Sequence, residues 1–158
     1  MKTAIFFGST TGVTEDIANR VAKLLGADVF PAGEISKVED YDFVIFATST
    51  WGMGDLQDEW QGALDELKTK NLNGKKVAFI GVGDQEGFGD TFVDGIGTIY
   101  EEIADMGITV VGKTSTDGYS FGGSKAVVDG EFIGLVIDEN NQSNLTDERI
   151  KNWVEKVK

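Results

Sequence analysis

Residues Gly8-Ser9-Thr10-Thr11-Gly12-Val13-Thr14 follow the apolar run Ala4-Ile5-Phe6-Phe7 and precede a helical pattern opening at about Glu15. A strand, a small hydroxyl-rich loop and a helix start together make an anion site. The first amides of a helix have no intrahelical acceptor and carry partial positive charge. Ser9, Thr10, Thr11 and Thr14 add hydroxyl donors, and the loop holds no Lys or Arg. A nucleotide-hydrolysing loop would end in Gly-Lys-Ser/Thr, its lysine reaching the outer phosphates. Here Val13 follows Gly12. The chemistry indicated is binding of a static phosphate by neutral donors. The same residue types also serve a plain turn with a helix cap, so the loop alone leaves both readings open.

Two further loops carry unusual residues. Thr48-Ser49-Thr50-Trp51-Gly52-Met53-Gly54-Asp55 places a tryptophan among small residues, and Gly83-Asp84-Gln85-Glu86-Gly87-Phe88-Gly89-Asp90-Thr91 places a phenylalanine among glycines and acids. Neither aromatic belongs to a regular apolar stripe, and the flat face of Trp51 suits stacking on a planar ring. Folding back onto the core is the other reading of Trp51. A phosphate cradle with two aromatics on separate loops describes a ligand with a phosphate at one end and a flat ring at the other. Flavin mononucleotide (FMN) fits. No second phosphate loop is present to suit a dinucleotide.

These loops must be positioned by the elements before them. Residues 3–7 read as a strand, and Ile17, Val21, Leu24 and Leu25 as one helical face. Asp28-Val29-Phe30 is a short strand ended by Pro31. The runs 43–47 and 77–82 are continuously apolar, as in strands covered on both faces. Leu56, Trp60, Leu64 and Leu67 form a helical stripe, as do Phe92, Ile96, Ile99, Ile103 and Met106. A fifth strand starts at Ile108 to Val111, is interrupted from about Lys113 to Phe132, and resumes over residues 133–137. Thr146 reads as the cap of a last helix bearing Ile150, Trp153, Val154 and Val157. Alternating strands and helices predict an α/β fold: one open, doubly wound sheet of five parallel strands in the order 2-1-3-4-5, with helices on both faces. In such a sheet the ligand lies beyond the carboxyl ends of the strands, at the three loops above.

Composition narrows the function. The 158 residues contain no Cys and no His. Thiolate nucleophiles, cysteine-held clusters and Cys/His metal sites are therefore excluded, and redox chemistry must come from a bound organic cofactor. With 41% hydrophobic residues and no linker or repeat, residues 1–158 read as one domain. The net charge of −13 disfavours nucleic acid and anionic membrane as partners. It suits steering toward basic protein surfaces. No signal-peptide core or membrane-length apolar stretch is present, which reads as a cytoplasmic protein.

The chain resembles the bacterial flavodoxins of the long-chain type. The resemblance rests on Thr10-Thr11-Gly12-Val13-Thr14, Thr50-Trp51-Gly52, Gly83-Asp84-Gln85, Ser115-Thr116-Asp117-Gly118-Tyr119 and Asp138-Glu139-Asn140-Asn141-Gln142, in that order along essentially the whole chain. It implies one non-covalently bound FMN, no substrate turnover and no catalytic or metal-ligating residues. The implied function is a low-potential one-electron carrier between redox enzymes. By the family pattern, Ser9, Thr10, Thr11, Gly12, Val13 and Thr14 hold the phosphate. Thr48, Ser49, Thr50, Trp51, Gly52, Met53 and Gly54 form the inner ring loop, with Trp51 on the inner flavin face. Gly83, Asp84, Phe88, Gly89, Asp90 and Thr91 form the outer loop, and Asn140 lies near the ribityl chain. Phe88 stands where a tyrosine is usual, and Asn140 where many members have aspartate. The stretch from Lys113 to Phe132 matches the insertion that splits strand 5 in long-chain members.

The resemblance also implies two means of setting the potential. The acids Asp84, Glu86, Asp90 and Asp94 crowd one loop, and the fully reduced flavin of this family is an anion. A carboxylate about 10 Å away opposes that anion by roughly 0.4–1.7 kcal/mol at effective dielectrics of about 80 to 20, or on the order of 20–70 mV. The peptide Gly52-Met53 matches one that flips on reduction and stabilises the neutral semiquinone. Implied partners are basic-surfaced redox proteins, such as an NADP reductase or a pyruvate oxidoreductase, met by a monomer. Two rivals share the fold. A flavin-dependent quinone reductase needs space beside the ring. A phosphoacceptor module needs acids at the ends of strands 1 and 3, where this chain has Gly8 and Thr48-Ser49-Thr50.

Overall fold

The computed structural model describes residues 2–8, 12–51, 55–56 and 58–158, with Trp51, Asp55 and Leu56 described by backbone alone. The apolar runs become the strands β1 (Thr3–Gly8), β2 (Asp28–Pro31), β3 (Phe43–Trp51) and β5 (Lys76–Val82), with a two-residue β4 (Asp55–Leu56) turned back on β3. The fifth position of the sheet is shared. β6 (Thr109–Val110) pairs with Lys76 and Val77, while β10 (Leu135–Ile137) pairs with Ile80 to Val82 of the same strand. All these pairings except β3–β4 are parallel, and the order β2-β1-β3-β5-β10 is the predicted 2-1-3-4-5.

Alternation along the buried strands divides the core by face. Ile5, Ile45, Ala78 and Ile80 point to α1 (Val13–Leu25) and α5 (Thr146–Val157), whereas Phe6, Phe46, Val77 and Phe79 point to α2 (Asp58–Leu67) and α3 (Asp94–Ile103). The buried face of α1 is Ile17, Ala18, Val21 and Ala22. Leu24, expected in that stripe, is exposed. A 3-10 helix over Ala32–Asp40 follows β2, and no apolar stripe of 3.6 spacing announces it. Thr146 is the first residue of α5 and not its cap. Its hydroxyl donates to Glu139 Oε2 in the short helix α4 (Glu139–Gln142).

The insertion is folded. β7 (Thr114–Ser115), β9 (Glu131–Phe132) and β8 (Val127–Val128) form a small antiparallel sheet. It closes on an aromatic cluster of Phe92, Tyr119, Phe121 and Phe132, with ring centroids 5.1–6.0 Å apart. Tyr119 donates its hydroxyl to Val136 O at 2.6 Å, and burial pushes its phenol up to about 12. Gly97 of α3 lets the insertion approach closely, since a Cβ there would lie 2.5 Å from the backbone of Lys125.

Candidate functional site

The register brings the three nominated strand ends side by side. Gly8 of β1 lies opposite Thr48 of β3, and Ser49 lies opposite Val82 of β5. Ser9, Thr10, Thr11, Gly52, Met53 and Gly54 lie outside the described residues, and Trp51 enters only through its backbone as the end of β3.

The start of α1 is the candidate anion site. Gly12 precedes it with φ 88°, a left-handed conformation that glycine adopts without penalty, and as the N-cap residue it brings no side chain to cap the helix. Within the first turn Thr14 is 1% exposed, and its Oγ is buried with no hydrogen-bond partner among the described residues. Ser49, 3% exposed at the end of β3, also has its Oγ unpartnered. A buried hydroxyl without a partner costs about 1–3 kcal/mol. Two such hydroxyls where β1 gives way to α1 and where β3 ends fit a ligand that supplies several acceptor oxygens. A phosphate does so, and the dipole of α1 favours its charge.

The neighbouring threonines have internal roles. Thr48 donates to Ser49 O at 3.2 Å, and Thr50 Oγ accepts from Gly95 N at 2.7 Å, anchoring the first turn of α3 to the end of β3.

The outer loop is organised by carboxylates. Asp84 accepts from the amides of Gly87 (2.8 Å) and Glu86 (3.1 Å) and from the side-chain amides of Asn141 (2.7 Å) and Asn140 (3.1 Å). These donors, the Gly87 amide foremost, hold its carboxyl below the ordinary value of 3.8. The Phe88 amide donates to Asp84 O at 2.9 Å and closes the turn, leaving Phe88, Gly89 and Thr91 half-buried and Asp90 exposed. The Asp84 side chain is thus spent on its own loop and on Asn140 and Asn141.

Sequence reasoning assigned no role to Asp138 or Gln85, which fix this loop to the sheet. Asp138 is fully buried at the end of β10. It accepts from Gln85 N (3.0 Å), Gln85 Nε2 (2.8 Å), Asn141 N (3.0 Å) and Asn141 Nδ2 (2.9 Å). Gln85 Oε1 in turn accepts from Ser120 N at 2.6 Å, binding the loop to the insertion. Gly122 and Gly123 donate to Gly89 O, and Phe92 donates to Gly123 O. The insertion therefore holds the outer loop in place. The sequence signal was available: a carboxylate directly after an apolar strand, with amide side chains at positions 85 and 141.

An open parallel α/β sheet with a phosphate-suited helix start and two aromatic-bearing loops defines a mononucleotide-cofactor protein. Comparison with known proteins gives the family. The flavodoxin family model matches residues 5–153, and the chain belongs to the flavodoxin family. It is 47% identical over 160 residues to a flavodoxin of Helicobacter pylori, covering 99% of this chain and 96% of the relative. It is 44% identical over 162 residues to a flavodoxin of Nostoc, covering 99% and 95%. Among solved structures it is similar to a Fusobacterium nucleatum flavodoxin bound to flavin mononucleotide. That match has a TM-score of 0.94, 34% identity, and coverage of 99% and 97%.

Proposed function

We propose that the chain binds one FMN across the ends of β1, β3 and β5 and works, as a single domain, as a low-potential one-electron carrier. Flavodoxins are electron-transfer proteins without substrate turnover of their own. The observation that carries the binding mode is the pair of buried hydroxyls, Thr14 and Ser49, without a hydrogen-bond partner among the described residues, beside a helix start whose N-cap residue is a glycine. Bound FMN supplies the one-electron chemistry of its ring, and the residues of the chain hold and shield it.

The amides that follow Gly12 and the hydroxyls of Thr14 and Ser49 take the phosphate, together with Ser9, Thr10 and Thr11. Trp51 and Phe88 cover the two ring faces. Gly52, Met53 and Gly54 line one ring edge, and Gly83, Gly89, Asp90 and Thr91 the other. Thr48 and Thr50 support these loops from within, and Asp84 and Asn140 shape the outer one through their mutual hydrogen bond. Phe88 retains the stacking surface of a tyrosine without its hydroxyl.

The net charge of −13 supports redox partners with basic surfaces, such as an NADP reductase or a pyruvate oxidoreductase. Nucleic acid and membrane are disfavoured as partners on the same ground. A cytoplasmic monomer is the simplest setting. No helix among the described residues is long and apolar enough to cross a membrane.

Reconstitution with FMN and with riboflavin tests the phosphate site. Flavin absorption should persist through gel filtration with FMN and be lost with riboflavin, which lacks the phosphate. Equal retention of both would contradict the site, and a colourless protein with FMN would contradict the function.

A further inference from the structure

A groove of about 360 Å³ lies between the insertion and α5, away from the flavin loops. None of the residues proposed to contact FMN lines it. Its floor is apolar: Leu135 and Val136 of β10, and Trp153, whose indole N–H is already used on Gly112 O at 2.8 Å. Its donors come from one face of α5, where Arg149, Asn152 and Lys156 stand at intervals of three and four residues.

Arg149 is the unusual member. Its guanidinium carbon lies 4.1 Å from the ring centroid of Tyr119, and its Nη1 is buried with no hydrogen-bond partner among the described residues. Tyr119 does not satisfy that donor: it meets the guanidinium with its ring face, and its hydroxyl donates to Val136 O. No carboxylate among the described residues forms an ion pair with Arg149, although this chain has 27 acids and 14 bases. Asp117 lines the groove and faces solvent, with only its backbone amide engaged, on Ser115 Oγ. Lys156 donates to Lys113 O and retains two further N–H groups.

We infer that this groove is a second ligand site, distinct from the flavin site, that takes a small organic anion: a carboxylate or sulfonate on a flat apolar body. The body lies on Leu135, Val136 and the Trp153 ring. The anion accepts from Arg149 Nη1, with Asn152 and Lys156 at its flank. Planar guanidinium donors match the two oxygens of a carboxylate. The volume is at the lower end of small-molecule sites, which suits a ring-bearing anion and leaves much of the groove open around inorganic phosphate.

The test uses the FMN-loaded protein and the assigned Trp153 indole N–H resonance. Benzoate and benzenesulfonate are titrated, with inorganic phosphate and benzylamine as comparison probes. Saturable shifts of the Trp153 signal are expected with both ring-bearing anions, weaker ones with phosphate and none with benzylamine. The Arg149→Gln variant should bind benzoate at least about tenfold more weakly, as a lost charge-assisted hydrogen bond requires. Lys156→Gln, on the exposed side of the helix, should weaken it less. Flavin absorption unchanged in both variants establishes that they are folded. Three outcomes overturn the proposal: no saturable shift by about 20 mM benzoate, equal affinity in Arg149→Gln, or a shift reproduced by chloride at matched ionic strength. Loss of flavin binding by Arg149→Gln leaves Lys156→Gln to decide, and unaltered benzoate affinity in that variant also overturns the proposal.

Discussion

Replacing Thr14 by valine should move the stability of the flavin-free and FMN-loaded protein in opposite directions. Valine keeps the shape and nearly the helix propensity of threonine and deletes the hydroxyl. In the flavin-free protein that hydroxyl is buried, 1% exposed by residue, and without a partner among the described residues. Its removal should leave stability unchanged or raise it, by up to about 1–3 kcal/mol. In the proposed binding mode the same hydroxyl of the loaded protein donates to the phosphate, a charge-assisted bond of roughly 1.5–3 kcal/mol. FMN affinity should then fall about ten- to hundredfold. At fixed excess FMN, a thirtyfold loss removes about 2 kcal/mol of ligand-linked stability, or on the order of 4–8 °C for a domain of this size. Fluorescence titration and paired thermal melts measure both arms, and Thr14→Ser, which keeps the hydroxyl, should hold FMN closer to the parent. An FMN affinity within about twofold of the parent, or a flavin-free Thr14→Val protein destabilised beyond the usual scatter of surface changes, would refute the assignment.

Asp94 is 5% exposed, and burial raises its carboxyl above the ordinary 3.8 although Lys125 N donates to it at 2.7 Å. A raised folded value gives stability that is full below 3.8 and lost as pH rises through the folded pKa. Asp94→Asn, which keeps an acceptor, should therefore exceed the parent in urea midpoint at neutral pH, with the gap closing toward pH 3.8. Asp84 is the opposite case: its lowered value gives stability present above 3.8 that is lost as pH falls through the folded pKa. Asp84→Asn should flatten that acid limb. Gly97→Ala sets a Cβ 2.5 Å from Lys125 and should destabilise by about 1–3 kcal/mol. Gly62→Ala on α2, where a Cβ meets nothing within 4 Å, should instead stabilise by about 0.5–1 kcal/mol in the same denaturation assay. Asn140→Asp exchanges a 3.1 Å hydrogen bond to Asp84 for a like charge. At a separation of about 4 Å this repulsion is worth about 1 kcal/mol in water. A carboxyl NMR titration should show the Asp84 pKa rising, and an unmoved pKa would count against the contact.

The sheet was legible because buried parallel strands write themselves as unbroken apolar runs, and the split fifth strand because its two halves flank a polar, glycine-containing stretch. The 3-10 helix over 32–40 was not, because its buried residues Ala32, Ile35 and Val38 recur every three positions within a short segment after Pro31. Thr146 misled for a specific reason: the residue type suits a cap, but its hydroxyl finds Glu139 seven residues back. The helix start just after Gly12 was legible from local chemistry. The scaffold of the outer loop was not, since Gln85 and Asp138 meet across 53 residues of chain. Acids near that loop read as a field of negative charge, whereas Asp84, Asp94 and Asp138 are acceptors that hold backbone and side-chain amides.

That distinction alters how charge can tune the bound flavin. Asp138 is enclosed by donors from Gln85 and Asn141, whose dipoles oppose its field, and Asp84 is similarly wrapped. Removing either would alter the loop along with the charge. Glu86 and Asp90 are exposed, so their repulsion of an anionic reduced flavin passes through water and falls at the low end of the range, near 20 mV for a charge about 10 Å away. On this reasoning the lowering should come from many weak surface charges within a net charge of −13. Charges of that kind are screened once the Debye length shrinks from about 30 Å at 0.01 M salt to about 3 Å at 1 M. The lower one-electron potential should accordingly rise with ionic strength, and Glu86→Gln and Asp90→Asn should each raise it slightly at low salt and not at high salt. Redox titration at the two salt concentrations measures this. A potential that ignores salt would place the control in the buried dipoles of the loop and not in the surface charge.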